Sequence, residues 1–125
     1  MSVFYGWDIG GVHLKLSRLE SGDARRAEIT TTIEPFEIWK TPDALAGLLT
    51  TMLARSTAGP EGGRSGDGVR HAVTMTAELS DLFASRSDGV RFIIQACSEA
   101  LGRDSLRVLT LDGALIRPED AMESP

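Results

Sequence analysis

The segment YGWDIGGVHLK at residues 5–15 brings together the residue types that a phosphate site needs. Asp8 carries a carboxylate, and Mg²⁺ prefers oxygen ligands and keeps much of its water. Gly10 and Gly11 lack side chains, so backbone N–H groups in this turn can approach anionic oxygens. Lys15 can supply a positive charge to the same oxygens. The alternative is an ordinary β-hairpin turn with a capping aspartate and a solvent-exposed lysine, and the segment alone leaves both readings open.

A second group of candidate residues lies at the end of the fourth predicted strand, RHAVTMTAEL at 70–79, and just beyond it. Glu78 and Asp81 are expected at the carboxyl edge of the sheet, where open α/β sheets bind ligands. A carboxylate there could act as a general base or as an outer partner of a metal ion. Helix capping is the competing explanation for Asp81. Arg86 could bind a phosphate or carboxylate through two guanidinium hydrogen bonds, or it could be an ordinary charged residue of a loop.

These residues depend on alternating strands and helices for their positions. Runs at 3–8 and 12–19 predict a β-hairpin around the two glycines, and EITTTI predicts a third strand. Apolar residues at helical spacing predict two helices, the first with Thr41 as its N-cap and the second ending at Gly102. The predicted elements after the hairpin are a strand at 28–33, a helix at 42–55, a strand at 70–79, a helix at about 88–101 and a strand at 106–113.

The resulting order is β-β-β-α-β-α-β. Because connections through helices join parallel strands, this order predicts a five-stranded mixed sheet flanked by helices. The length of 125 residues and the hydrophobic content of 42% suit one domain, which we place at 1–113. The glycine-rich stretch at 59–68 is expected to be a flexible loop, and 114–125 a fraying tail.

Composition limits the partners that can be expected. The net charge of -5 and the pI of about 5.0 argue against a nucleic acid or an acidic membrane surface, and no apolar run approaches the length of a membrane span. The single cysteine, Cys97, follows an apolar helical pattern and is expected to be a buried thiol in the cytoplasm. His13 and His71 are assigned to packing in the sheet, and the two tryptophans to the core or an interface.

Three segments resemble one group of proteins. GWDIGGVHLK at 6–15, EIWKTPDAL at 37–45 and VTMTAELSDLFASRSDGVRFI at 73–93 are similar to the tetrahydromethanopterin-linked C1-transfer pathway proteins. That group belongs to the hydantoinase/oxoprolinase branch of the ASKHA, or actin-like ATPase, superfamily. The resemblance covers nearly all of residues 3–113 and implies a ribonuclease H-like lobe whose opening hairpin is the first phosphate motif.

The resemblance also implies a reaction. Members of the group are similar to the synthase of methanofuran biosynthesis, which joins a furanylmethyl diphosphate to γ-glutamyltyramine through an ether bond. A methylofuran counterpart would serve a related furan cofactor, and the acceptor would be a tyramine or tyrosine phenol. Asp8 would then organise Mg²⁺ on the diphosphate, and Glu78 or Asp81 would be the base near the phenol. The phosphate-binding residues in this interpretation are Gly10, Gly11, Lys15 and Arg86.

The family carries its second phosphate motif in a later lobe, and nothing in this sequence matches it. The chain therefore resembles the first lobe alone, and we expect that lobe to be inactive by itself. Its expected partners are a phosphorylated small molecule, a second lobe or partner subunit, and a second copy of itself if apolar surface is left uncovered. Two other functions stay open: an ATP-dependent kinase or hydantoinase-like hydrolase, and a non-catalytic interaction module.

Overall fold

The computed structural model describes residues 2–23, 26–56, 69–75, 84–110 and 113–123. These residues form six strands and three α-helices, the first helix preceded by a 3₁₀ turn at Pro42–Ala44. The strands are β1 (Ser2–Ile9), β2 (His13–Asp23), β3 (Arg26–Pro35), β4 (Val69–Met75), β5 (Leu106–Leu109) and β6 (Leu115–Ile116). The helices are α1 (Leu45–Ser56), α2 (Arg86–Leu101) and α3 (Pro118–Glu123).

The six strands form one mixed sheet in the order β3-β2-β1-β4-β5-β6. The first three strands are antiparallel neighbours, β1, β4 and β5 are parallel, and β6 returns antiparallel to β5. The predicted mixed α/β sheet is confirmed. The predicted number of five strands is too small, because residues 115 and 116 add a short edge strand that has too few residues to show an alternating pattern.

Alternation along the strands divides the sheet into two faces. Tyr5, Trp7 and Ile9 of β1 are buried on one face, together with Leu14 and Leu16 of β2. Helices α1 and α2 cover this face with a stripe of apolar side chains: Leu45, Leu49, Met52, Ile93 and Cys97. A slip of one residue in the pairing of β1 with β2 would move every one of the buried strand residues to the other side, so the core fixes the register.

The other side of the sheet, which we call the open face, carries side chains that the described helices leave in contact with solvent. Five large apolar residues on it are exposed: Phe4, Ile29, Ile33, Leu109 and Leu115. Asp8 and Lys15 lie on the same face, paired directly across β1 and β2. The open face therefore combines the predicted charged residues with an apolar surface.

The helix ends agree with the sequence in part. Helix α2 begins at Arg86, two residues before the predicted start, because Ser85 caps it and accepts a hydrogen bond of 3.1 Å from the Asp88 N–H. Its last residue is Leu101, and Gly102 caps it at the predicted position. Thr41 does stand before the 3₁₀ turn, but its side chain makes no capping hydrogen bond, so the prediction of a Thr41 side-chain cap is wrong.

The C-terminal residues differ from the expected fraying tail. Helix α3 follows β6 and buries Ala121 in a small cluster. The other buried members of that cluster are Val90, Ile94 and Val108. The predicted loop at 59–68 and the last residues of the predicted fourth strand lie outside the described residues. No helix in the described part of the chain is long and apolar enough to cross a membrane.

Candidate functional site

Asp8 is the residue before the last in β1. Its neighbours Trp7 and Ile9 are in the core, so alternation directs the Asp8 carboxylate to the open face, where it is half-buried. Strands β1, β4 and β5 run in the same direction, and Asp8 therefore lies near their shared carboxyl edge. Open α/β sheets bind ligands at this edge.

Lys15 is the residue directly opposite Asp8 on β2. Residues opposite one another in such a pair have Cβ atoms about 5 Å apart, close enough for one ligand to reach both. The ion pairs in the described part of the chain nevertheless join other residues: Arg18–Glu20, Lys40–Glu37 and Arg55–Glu34. Within that part, Asp8 and Lys15 carry opposite charges on one face without neutralising each other by direct contact.

A cleft of about 360 Å³ lies on the open face and is lined by both charged residues. Its floor is a row of small residues in register across three strands: Ser17 on β2, Gly6 on β1 and Ala72 on β4. A Cβ atom added at Gly6 would meet nothing within 4 Å, which shows how open this row is. Larger residues border the floor, and the cleft results from this difference in side-chain size.

Polar and apolar groups share the walls of the cleft. Thr74 is paired with Asp8 across β1 and β4, so its hydroxyl belongs to the same row as the carboxylate. Ser17 Oγ and Thr31 Oγ1 share a hydrogen bond of 3.0 Å on the β3 side. Leu109 and Leu115 line the opposite side. The cleft can therefore accept a molecule that has a charged end and an apolar end.

The glycine turn is partly occupied by its own hairpin. The Gly10 N–H donates a 3.0 Å hydrogen bond to the His13 carbonyl, so it is not available to an anion. In this conformation the amide is used within the hairpin, and the phosphate-binding role of Gly10 stays a prediction. There is open space beside Gly11, since an added Cβ atom there would meet nothing within 4 Å. Its carbonyl accepts a 3.3 Å hydrogen bond from the Ile38 N–H, which ties the turn to the segment after β3.

Arg86, a further predicted site residue, is not brought into this cleft. Arg86 is exposed at the first turn of α2 and does not line it. Glu78 and Asp81 lie outside the described residues, and their role stays a prediction. His13 is exposed at the start of β2, so its assignment to sheet packing is wrong, whereas the assignment of His71 is confirmed.

His71 belongs to a buried cluster directly beneath the site. It is 3% exposed, and its Nδ1 accepts a 3.0 Å hydrogen bond from Trp7 Nε1. The Tyr5 ring stacks on the imidazole with centroids 5.0 Å apart. Burial lowers the pKa of His71 to about 4, so the imidazole is neutral and holds its proton on Nε2. Trp7 precedes Asp8, and this cluster therefore fixes the strand that carries the carboxylate.

The cluster continues to the surface through Arg18. Its Nε donates a 3.3 Å hydrogen bond to Tyr5 Oη, and its Nη1 lies 2.9 Å from Glu20 Oε2. The hydrogen bond with Tyr5, followed by the one with Glu20, raises the pKa of Arg18. Cys97 is buried as predicted, and desolvation raises the pKa of its thiol to about 12, so it is an inert core residue.

Comparison with models of known protein families gives no match, and comparison with curated proteins gives none either. Solved structures do match. The mixed sheet and its flanking helices are those of the ribonuclease H-like and actin-like folds, the class that the sequence predicts.

Two solved structures illustrate the likeness. The PPX-GPPA enzyme of Aquifex aeolicus matches with a TM-score of 0.51 at 13% identity, over 87% of this chain and 36% of that one. RuvC of Thermus thermophilus, in complex with a Holliday junction substrate, matches with a TM-score of 0.50 at 14% identity, over 86% of this chain and 62% of RuvC. The chain thus spans less than two thirds of either protein. The likeness is one of fold alone and does not identify a substrate for this chain.

Proposed function

We propose that this chain forms one wall of a site for a phosphorylated small molecule, in a protein that transfers the organic group of a diphosphate. The observation that carries the proposal is the pair Asp8 and Lys15, opposite in register and unpaired with each other, beside a cleft whose floor is made of small residues. A carboxylate and an ammonium so placed suit a ligand that brings both phosphate oxygens and a bound cation.

The residues present fit Mg²⁺ as the cation. Asp8 offers a carboxylate and Thr74, its neighbour on β4, a hydroxyl. Both are hard oxygen donors of the kind that Mg²⁺ takes. Two protein ligands are enough for this ion, because it retains water molecules and binds the phosphates of its substrate. When bound, Mg²⁺ would neutralise charge on the departing diphosphate. Asp8 would hold the ion in place, and Lys15 would pair with the phosphate oxygens.

The specific reaction that we propose is ether formation in the biosynthesis of a methanofuran-type or methylofuran-type cofactor. The resemblance of residues 6–15, 37–45 and 73–93 to tetrahydromethanopterin-linked C1-transfer proteins supports it. The phenol oxygen of a tyramine or tyrosine unit forms a bond to the methylene carbon of the furanylmethyl diphosphate. The bond from that carbon to the diphosphate oxygen breaks, and diphosphate leaves with its electron pair. The phenol proton passes to Glu78 or Asp81.

Two features of the chain bear on its partners and on its compartment. The net charge of -5 opposes binding of a nucleic acid backbone. The single cysteine, buried as a free thiol, agrees with a reducing compartment, and we propose the cytoplasm.

The proposal is tested with the full-length protein, Mg²⁺, a furanylmethyl diphosphate and tyramine or tyrosine. Mass spectrometry of the products is expected to show the aryl furanylmethyl ether, with one diphosphate released for each ether formed. Hydrolysis of the diphosphate without ether formation would contradict the transferase. Consumption of ATP without any ether formation would instead indicate a kinase or an ATP-dependent hydrolase.

We further propose that a second α/β lobe or a partner subunit covers the open face and completes the site. The cleft is open to solvent, and the apolar residues Leu109 and Leu115 that line it are 43% and 56% exposed. Ile33, opposite Lys15 on β3, is 54% exposed on the same face. Large apolar patches with polar residues among them are typical of interaction surfaces. A ligand bound only to this wall would stay largely in water, so the chain alone is expected to bind ATP with Mg²⁺ no better than millimolar.

The 125-residue chain is expected to self-associate through its uncovered face. Ile33→Glu places a charge on that face and should shift the protein towards monomer in sedimentation velocity runs at tens of micromolar. Thr32→Glu is the matched control, because Thr32 is exposed on the same strand but points to the other face. Equal sedimentation of the two variants would show that this face does not mediate association.

A further inference from the structure

An exposed aromatic side chain stands beside the glycine turn. The segment after β3 is joined to this turn by two backbone hydrogen bonds: Phe36 N–H donates to the Val12 carbonyl at 2.9 Å, and Ile38 N–H to the Gly11 carbonyl at 3.3 Å. Trp39 follows Ile38 directly. The Cα atom of Trp39 therefore lies within roughly 10 Å of the Cα atom of Gly11.

The exposure of Trp39 is unusual for its surroundings. Phe36 and Ile38 anchor the segment in the core, whereas Trp39 is 52% exposed and Val12, in the glycine turn, 53%. A tryptophan is among the largest apolar side chains, and half-exposed tryptophans are characteristic of binding surfaces. Two exposed apolar side chains therefore stand near Gly11, where the apolar part of a ligand would cover them.

A lysine contacts the Trp39 ring. Lys40 Nζ lies 4.8 Å from the ring centroid and 3.4 Å from Glu37 Oε1. The first contact is a cation–π interaction, and the second fixes the ammonium that makes it. Lys40 therefore lies over one face of the ring, so a ligand that stacks on Trp39 would use the opposite face.

We propose that Trp39 and Val12 form the ring-binding part of the site and that Trp39 stacks on the planar ring of the phosphorylated ligand. This inference rests on the proposed function, because it takes Lys15 and the turn at Gly11 as the phosphate end. It adds the residues that contact the ring: Trp39 and Val12 stand beside the turn, outside the lining of the cleft, and they would select a ligand in which an aromatic or furan ring is joined to the diphosphate by a short linker.

The test compares two ligands and three forms of the full-length protein. Calorimetry with Mg²⁺ measures the dissociation constants of inorganic pyrophosphate and of benzyl diphosphate in the wild type, Trp39→Leu and Trp39→Phe. Stacking predicts that Trp39→Leu lowers the affinity for benzyl diphosphate by roughly 5- to 10-fold and leaves the affinity for pyrophosphate unchanged. Trp39→Phe is expected to keep most of the affinity for benzyl diphosphate. Circular dichroism verifies that the variants are folded.

Fluorescence gives an independent readout when the wild type is compared with Trp39→Phe, since the difference between them is the emission of Trp39 and Trp7, the other tryptophan of this chain, is buried. Benzyl diphosphate is expected to quench the emission of Trp39, and pyrophosphate is not. Suppose that the wild type binds pyrophosphate and that Trp39→Leu lowers the affinity for both ligands equally, or for neither. The stacking role is then overturned and the phosphate site stands. If the wild type binds neither ligand, the proposed function fails and the ring site fails with it.

Discussion

Replacement of Asp8 by Asn in the full-length protein is expected to lower turnover of the diphosphate substrate by on the order of 100-fold. The carboxylate lies on the open face at the carboxyl edge of the parallel strands, beside the cleft. An asparagine keeps the size and one oxygen but removes the negative charge that would hold Mg²⁺. The departing diphosphate would then develop its charge without a fixed cation.

The dependence on Mg²⁺ separates this role from a structural one. If Asp8 holds the ion, the variant should require a higher Mg²⁺ concentration for half-maximal pyrophosphate binding, with an unchanged melting temperature. Asp104→Asn is the matched control. Asp104 is exposed just before β5, at the amino end of that strand, so the variant should behave as wild type. Turnover of Asp8→Asn within twofold of wild type would show that Asp8 is not part of the site.

The position of this site follows from the sequence because it depends on local rules. Alternation along β1 directs Trp7 and Ile9 to the core and Asp8 to the other face, and a short hairpin brings Lys15 opposite. The strand and helix order then fixes which strands are parallel. Hairpin, alternation and order are all properties of neighbouring residues, and a single sequence displays them.

Other parts of the site depend on contacts that no local pattern shows. The Gly10 N–H is used within the hairpin, which only the conformation of the turn decides. The bond between Trp7 and His71 joins residues 64 positions apart and exists because β1 and β4 pair in one particular register. Ser85 could have been recognised as a cap, since it stands three residues before Asp88 at a helix start. Glu78 and Asp81 stay predictions.

Acid is expected to destabilise the protein through His71. Its pKa is about 4 in the folded chain because the imidazole is buried, against 6.5 when it is exposed to water. Above pH 6.5 both states are neutral, and His71 makes no difference to stability. Between pH 6.5 and pH 4 the unfolded chain gains a proton that the folded chain excludes, so the free energy of unfolding falls as the pH falls. The full loss is about 3 kcal/mol.

The hydrogen bond of Trp7 makes this proton especially unfavourable. Nδ1 of His71 accepts from Trp7 Nε1, so a proton on Nδ1 would set two donors against each other at 3.0 Å. Tyr5 covers the ring on its face, and Arg18, the nearest cation in this hydrogen-bonded cluster, is bonded to the Tyr5 hydroxyl. Protonation must therefore break the contact that fixes β1 next to Asp8, and acid should release the site strand together with the core.

Urea unfolding of the 125-residue chain between pH 7 and pH 4 measures the effect. His71→Gln offers Trp7 an amide oxygen that does not titrate, so its stability should depend on pH less steeply than that of the wild type, by up to about 3 kcal/mol over this range. His13→Gln, at an exposed position on β2, should retain the wild-type slope. NMR titration of the His71 ring in the wild type provides a direct measurement that does not need the variant to fold. A His71 that gains its proton near pH 6.5 would contradict the buried hydrogen bond, and with it the argument that this cluster holds the carboxylate in place.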